Sequence, residues 1–239
     1  MSPGIFIFVK KSMIKFEAIA SVSSAFPEKF GIPRQAGLCP SAAAFLEFPN
    51  TNFYKDALKD LEGFSHLWVI FYFHSLKKTP DKAKIRPPRL GGNKYVGVFS
   101  SRSPYRPNPI GLSLVENAGL EVTDNHLRLH IRNHDLLDGT PVLDLKPYIS
   151  HDRPGTSPDF GWQTEPWTDL EVTFSNESDS FLKDKEELKN LIIDVLKNNP
   201  APAYIKNSEN DRIYGMKLNN FNIHFKTDEQ HCLVLKITP

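Results

Sequence analysis

The sequence predicts a mainly β protein, a barrel or sandwich followed by a small α+β unit. Three observations carry that reading. Short stretches with the period of a half-buried strand recur from Met13 to about residue 150. No regularly spaced amphipathic helices separate them, as a parallel βαβ sheet would require. Phe181–Asn198 is the one stretch with a sustained helical period.

Taken in order, the chain opens with Ile5–Val9 followed by Lys10 and Lys11. A signal peptide places its charges before a longer apolar stretch, so residues 1–13 read as an extra N-terminal segment. Ile14, Phe16, Ala18, Ala20 and Val22 then alternate with Lys15, Glu17 and Ser21, a strand. Ala57, Leu58 and Leu61 suggest one short helix. Leu67–Phe73 is an unbroken run of seven apolar residues, read as a strand buried on both faces. It is the longest such run, and a helix crossing a bilayer needs about 20 residues, so no membrane partner is expected.

Lys94–Phe99, Gly111–Val115 and Thr140–Leu145 are further strand candidates. Leu127, Leu129 and Ile131 make another, with Arg128, His130 and Arg132 on its opposite face. His151–Trp167 is punctuated by three prolines and two glycines and reads as a linker or packed loop. A boundary near residue 155 gives a first domain over 14–155 and a second over 156–239. In the second, Leu170, Val172 and Phe174 alternate as a strand. Phe181–Asn198 puts Leu188, Leu191, Ile192, Val195 and Leu196 on one helical face and stops at Asn198-Asn199-Pro200. Residues 213–218, 221–225 and 233–237 complete a meander.

Composition narrows the function classes. Among 239 residues, 40% are hydrophobic and 24% charged, which excludes disordered and collagen-like classes. Lys and Arg number 29 against 28 Asp and Glu, a net charge of +1, so the surface as a whole is not a nucleic-acid-binding field. Cys39 and Cys232 have no C-x-x-C partner, which excludes a disulfide framework and a cysteine zinc site and suits a reducing cytoplasm. No G-x-G, P-loop, G-x-S-x-G, H-E-x-x-H or zinc-deaminase pattern occurs. His66 and His74 flank the apolar run with no third ligand in sight, so no metal is expected.

The neutral total hides a local excess. Residues 77–106 hold Lys77, Lys78, Lys82, Lys84, Arg86, Arg89, Lys94, Arg102 and Arg106 against the single acid Asp81, a local +8. A solvated loop is one reading. Prolines 87, 88, 104, 107 and 109 stiffen the segment, and Gly91 and Gly92 permit close backbone approach. Arginines held on such loops suit carboxylate or phosphate recognition through bidentate guanidinium forks. A second cluster runs from Asp135 through Asp138-Gly139-Thr140-Pro141 to Tyr148 and reads either as a turn or as a ligand site.

Five segments then stand out together: Phe30–Leu38 (FGIPRQAGL), Leu61–Trp68 (LEGFSHLW), Arg86–Gly92 (RPPRLGG), Gly97–Gly111 (GVFSSRSPYRPNPIG) and Asp135–Tyr148. In this order and spacing the chain resembles the TsaA-like family of S-adenosylmethionine-dependent tRNA methyltransferases. These act on N6 of N6-threonylcarbamoyladenosine at tRNA nucleotide 37, beside the anticodon. The resemblance implies a small antiparallel β-barrel that binds S-adenosyl-L-methionine without a Rossmann sheet and works as a cytoplasmic homodimer. The C-terminal part resembles the family's longer bacterial form.

Carried over by position, the resemblance implies cofactor contacts from Pro33, Arg34, Gln35, His74, Ser75, Arg102 and Leu112, and from Arg132, Asn133, His134 and Asp135. Chemistry suggests Arg102 for the cofactor's carboxylate, Asp135 for its ribose diol and Leu112 for its adenine. Asp138 is the candidate general base. Arg86, Arg89 or Arg106 would pair with the substrate's threonyl carboxylate. Lys77, Lys78, Lys82 and Lys84 would hold phosphates of the anticodon stem-loop. Tyr204, Tyr214 and Phe221 read first as core residues and second as base-stacking platforms. The competing readings are a non-catalytic barrel that binds S-adenosylmethionine or RNA, and a methyltransferase acting on another nucleoside or small molecule.

Overall fold

The structure, a computed structural model, describes residues 15–76, 83–87, 90, 94–163, 169–200, 212–228 and 230–239. Six strands close a barrel: β1 (Ala20–Ser24), β2 (Ala43–Phe48), β3 (His66–Tyr72), β6 (Ile110–Val122), β7 (Leu127–Arg132) and β8 (Pro141–Pro147). They run in the order β1-β2-β7-β6-β3-β8, and every neighbouring pair is antiparallel. A two-stranded ribbon, β4 (Lys84–Ile85) with β5 (Val96–Gly97), projects from the β3–β6 connection, and a short helix α1 (Asn52–Ala57) lies between β2 and β3.

Alternation builds the barrel's interior. Leu67, Val69 and Phe71 of β3, Leu127, Leu129 and Ile131 of β7, and Val22 and Val142 are buried within it. Burying each such side chain contributes about 1.5–3 kcal/mol. The run Leu67–Phe73 therefore makes a strand with one inward and one partly exposed face, as Trp68, Ile70 and Tyr72 turn outward. β2 was not evident from the sequence. Ala44, Leu46 and Phe48 keep the inward period, but Phe45 on the outer face masks the alternation. There Phe45 is covered by the His130 ring at 4.5 Å and the Arg128 guanidinium at 5.5 Å.

The second unit is a four-stranded sheet in the order β10-β11-β12-β9, with β10 (Tyr214–Leu218), β11 (Phe221–Thr227), β12 (His231–Thr238) and β9 (Glu171–Phe174). The meander of β10, β11 and β12 is as expected, and β9 adds to it in parallel beside β12. The single helix expected over 181–198 is two helices, α2 (Asn176–Leu182) and α3 (Glu186–Lys197). The chain turns at Asp184-Lys185, which brings both Leu182 and Leu188 into the core. No Gly or Pro marks that break, so the residues there carry no signal for it.

This second core is not confined to residues after 155. Ala25, Phe26, Cys39 and Ala42 are buried in it beside Leu191, Ile192, Met216 and Phe225. Both cysteines are buried here, and burial pushes each thiol up to about 12, which leaves them unreactive. No helix of the described residues is long and apolar enough to cross a membrane.

Candidate functional site

At one end of the barrel lies a cavity of about 600 Å³, within the usual range for small-molecule sites. Four separate stretches wall it: the irregular segment before β2, the end of β3 with the residues after it, the Pro- and Arg-rich loop leading into β6, and the loop after β7. Strand pairing explains why these stretches meet. Tyr72 pairs with Ile110 and Phe71 with Gly111, so the exit of β3 and the entry of β6 share one end of the barrel. Gly111 is required at this point: a Cβ there would lie 2.1 Å from the Phe71 ring, which crosses the strand to line the cavity.

Polar groups converge on the walls. Arg102 Nη1 donates to Gln35 Oε1 at 2.5 Å, and Gln35 Nε2 donates to the Arg34 carbonyl at 2.8 Å. Ser113, inward-facing on β6, donates its hydroxyl to Asp135 Oδ1 at 2.5 Å. Burial pushes the Asp135 carboxyl above the usual carboxylate range. The Ser113 hydroxyl, the amides of Asp135 and Ala36, and the Arg102 charge oppose that shift in part. Lys29 Nζ donates to the Ser75 carbonyl at 2.9 Å across the mouth. Lys29, Arg34, Arg102 and Arg106 line the cavity against one acid, Asp135, so its field favours an anionic group.

Of the residues expected to touch the cofactor, the cavity gathers Pro33, Arg34, Gln35, His74, Ser75, Arg102, Leu112 and Asp135. It leaves out three. His134 is fully buried beneath it, packed edge-on against Phe26 at 5.3 Å. Its Nδ1 accepts from the Leu136 amide at 3.1 Å, so the proton sits on Nε2. Burial lowers this imidazole to about 4; the Ala43 backbone favours the charged form but completes no hydrogen bond with Nε2. Asn133 takes a left-handed φ of 56°, and its carbonyl accepts from Gly37 N–H at 3.1 Å. It shapes the wall from behind. Arg132 ends β7 exposed, paired across to Ala43 and Glu116.

Asp138 is also off the cavity. Its Oδ1 accepts from the Ser24 amide at 2.9 Å and its own amide donates to the Phe26 carbonyl, so it closes a turn over β1 and is not among the residues lining the cavity. Among the arginines proposed for the substrate, Arg106 lines the cavity and donates to the Ser101 carbonyl at 3.3 Å. Arg86 instead lies over the Tyr95 ring at 4.4 Å on the ribbon, next to exposed Lys84. Lys77, Lys78, Lys82, Arg89 and Tyr204 lie outside the described residues. Tyr214 and Phe221 pack against the second core, Tyr214 stacked on Phe225 at 5.6 Å.

Lys29, Phe71, Tyr105 and Ser113 also line the cavity, and sequence reasoning missed them. Ser113 carried a usable signal, a polar residue at an inward position of an apolar strand. Lys29 carried none beyond its closeness to Phe30–Leu38.

The chain's likeness to known proteins covers both units. Residues 21–152 match the tRNA-methyltransferase O N-terminal domain, and residues 167–239 match the TrmO C-terminal domain. The chain belongs to the tRNA-methyltransferase O family. It is 38% identical over 234 residues to the tRNA (adenine(37)-N6)-methyltransferase of Escherichia coli, covering 95% of this chain and 99% of that one. A probable S-adenosyl-L-methionine-binding protein of Pyrococcus abyssi is 41% identical over 138 residues, covering 57% of this chain and 69% of that protein. The crystal structure of TrmO from Pseudomonas aeruginosa superposes with a TM-score of 0.76 at 30% identity, over 96% of this chain and all of that one. The barrel and the second β unit accord with that membership.

Proposed function

We propose that this chain transfers a methyl group from S-adenosylmethionine to N6 of N6-threonylcarbamoyladenosine at nucleotide 37 of tRNA. One observation carries the reading: a single cavity collects Gln35, Arg102 and Asp135 from stretches far apart in the chain of a TrmO-family protein. The residues present fit the cofactor. Arg102, steadied by Gln35, suits its carboxylate; Asp135, held by Ser113, suits its ribose diol; Leu112 offers an apolar edge for its adenine.

When bound, the cofactor supplies an electrophilic methyl on a sulfonium whose leaving group is a neutral thioether. The protein's part is orientation: it holds the acceptor nitrogen in line at about 3 Å, and as the N–methyl bond replaces the sulfonium–methyl bond the N6 proton, acidified between the purine and the carbamoyl carbonyl, leaves to solvent. Arg106 on the cavity wall suits the substrate's threonyl carboxylate. An unmodified adenosine leaves that guanidinium unpaired, which supplies specificity. Asp138 takes no part, since its carboxylate holds the Ser24 amide away from the cavity. Lys84 and the lysines of 77–82 suit phosphates of the anticodon stem-loop.

The active form we propose is a homodimer acting in the cytoplasm, where its substrate is found. On the barrel's outside, cross-strand pairs Trp68–Leu114, Ile70–Leu112 and Tyr72–Ile110 make an apolar ladder beside the cavity, with Leu112 53% exposed. Such a patch suits burial against a second copy.

Mass spectrometry of tRNA nucleosides from cells lacking the gene tests the proposal. Methylated threonylcarbamoyladenosine should vanish and return with the wild-type gene. With Arg102→Ala it should not return, because losing one charged partner in the cavity costs about 2–3 kcal/mol, roughly 100-fold. An unchanged nucleoside profile overturns the reading and favours a binding module or another substrate.

A further inference from the structure

We propose that α3 of the second unit is a positioning element for the cofactor, with Asp194 as its main residue, acting through the segment 25–42. The inference rests on the cavity binding S-adenosylmethionine. Residues 25–42 contain no helix or strand, a long connection for a small barrel. Their cavity side presents Lys29, Pro33, Arg34 and Gln35. A segment of this length without a ladder of its own cannot hold side chains to the tolerance that ligand binding needs unless something else fixes it.

The opposite side of the segment shows what fixes it. Ser41 donates both its amide, at 2.9 Å, and its hydroxyl, at 2.6 Å, to Asp194 Oδ2. Asp194 Oδ1 receives Lys197 Nζ at 2.6 Å. Burial alone would raise this carboxyl, but the Lys197 and Ser41 donors outweigh it and hold Asp194 below the usual carboxylate range. Asn198, buried at the end of α3, donates to the Leu38 carbonyl at 2.9 Å. The next residue, Asn199, has a left-handed φ of 46° and presents its carbonyl to Arg34 Nη2 at 3.0 Å. The end of a helix favours a cation in that place. Below the segment, Gly31 rests on Met216, where a Cβ would come within 3.2 Å of Sδ, and Glu28 accepts from the Lys217 amide at 3.0 Å.

The segment is thus gripped from behind by α3 and β10 while its front face meets the cavity. Among the described residues the second unit lines no part of the cavity, and it reaches the lining only through the segment, at Arg34. Loosening the grip therefore acts on cofactor affinity and leaves the chemical step intact.

The test is calorimetric titration of the full-length protein with S-adenosylmethionine, together with steady-state kinetics on tRNA. Asp194→Ala should raise the cofactor Kd and KM about tenfold, as expected for a lost half-buried charged acceptor of about 1.4 kcal/mol. It should leave kcat at saturating cofactor and the KM for tRNA within twofold. Asp194→Asn keeps an acceptor for Ser41 and should recover most of the affinity. A merely structural role would instead lower the fraction of active protein without moving KM. If Asp194→Ala does not fold, Ser41→Ala should raise Kd about threefold and speed amide exchange over residues 33–41. A folded Asp194→Ala or Ser41→Ala protein with wild-type Kd overturns the inference alone. If Arg102→Ala binds as the wild type does, the cavity reading falls and this one with it.

Discussion

The barrel and the C-terminal sheet divide the work unequally. Among the described residues, those lining the cavity lie between Lys29 and Thr140, and none comes from the second unit. Yet the second core is built partly from the barrel's own Phe26, Cys39 and Ala42. One region carries the candidate site on its loops, and the other bonds to one of those loops from behind. Catalytic groups on loops are a common arrangement, but only where a rigid scaffold sets the loops. Here the barrel sets three stretches by its own strand ends, while the fourth, tied to the barrel through Phe26 and Gly37, is also bonded from behind by a different unit.

The largest expected effect tests the barrel side of this contrast. His134 lies under the cavity, neutral, with its imidazole lowered to about 4 from an ordinary 6.5. Its folded value is depressed, so the linked stability is present above the unfolded pKa and is lost as pH falls from 6.5 toward 4. The difference corresponds to roughly 3 kcal/mol. Urea unfolding at several pH values should show that loss in the wild type and a flatter slope in His134→Asn. Equal slopes would mean the histidine is solvated and the cavity floor open.

A smaller effect separates binding from stability at the cavity itself. The Asp135 carboxyl is raised by burial, so its favourable folding contribution is present below the ordinary carboxylate range and is lost as pH rises through the raised value. At neutral pH, Asp135→Asn should therefore melt a few degrees higher while binding S-adenosylmethionine about tenfold more weakly. Wild-type affinity should fall on acidification at a pH above that of an ordinary aspartate, and the variant should not follow. A variant that both melts lower and binds normally would assign Asp135 to packing.

How far the residues alone led follows the same division. The barrel strands were legible because alternation is a local property: Leu127, Leu129 and Ile131 bury as their spacing requires. β2 was hidden because Phe45 is apolar on the outer face, where Arg128 and His130 cover it. Arg102 and Gln35 were within reach as members of two motifs, but their hydrogen bond joins residues 67 positions apart, and no local pattern encodes it. The break between α2 and α3 and the grip of Asp194 on Ser41 depend wholly on tertiary packing. The separate placement of Asp135 and Asp138 has a similar cause. Two aspartates three residues apart look equivalent in sequence, and the turn at Gly139 sends one into the cavity wall and the other to β1.

That pair supplies the smallest and most discriminating prediction. Asp138 is exposed, and its Oδ1 accepts from the Ser24 amide at 2.9 Å while Gly139, at φ 71°, donates to the Val22 carbonyl. It behaves as a turn-forming aspartate, whose replacement costs about 1 kcal/mol. Asp138→Ala should lower the melting temperature slightly and leave kcat and both KM values within twofold of wild type. A general base lost from the reaction would cost 100-fold or more in kcat at unchanged stability. The two outcomes do not overlap, so one kinetic measurement on a folded variant decides whether the turn is only a turn. The expectation here is a small stability loss with intact turnover, since this exposed carboxylate is bound to a backbone amide and is not among the residues lining the cavity.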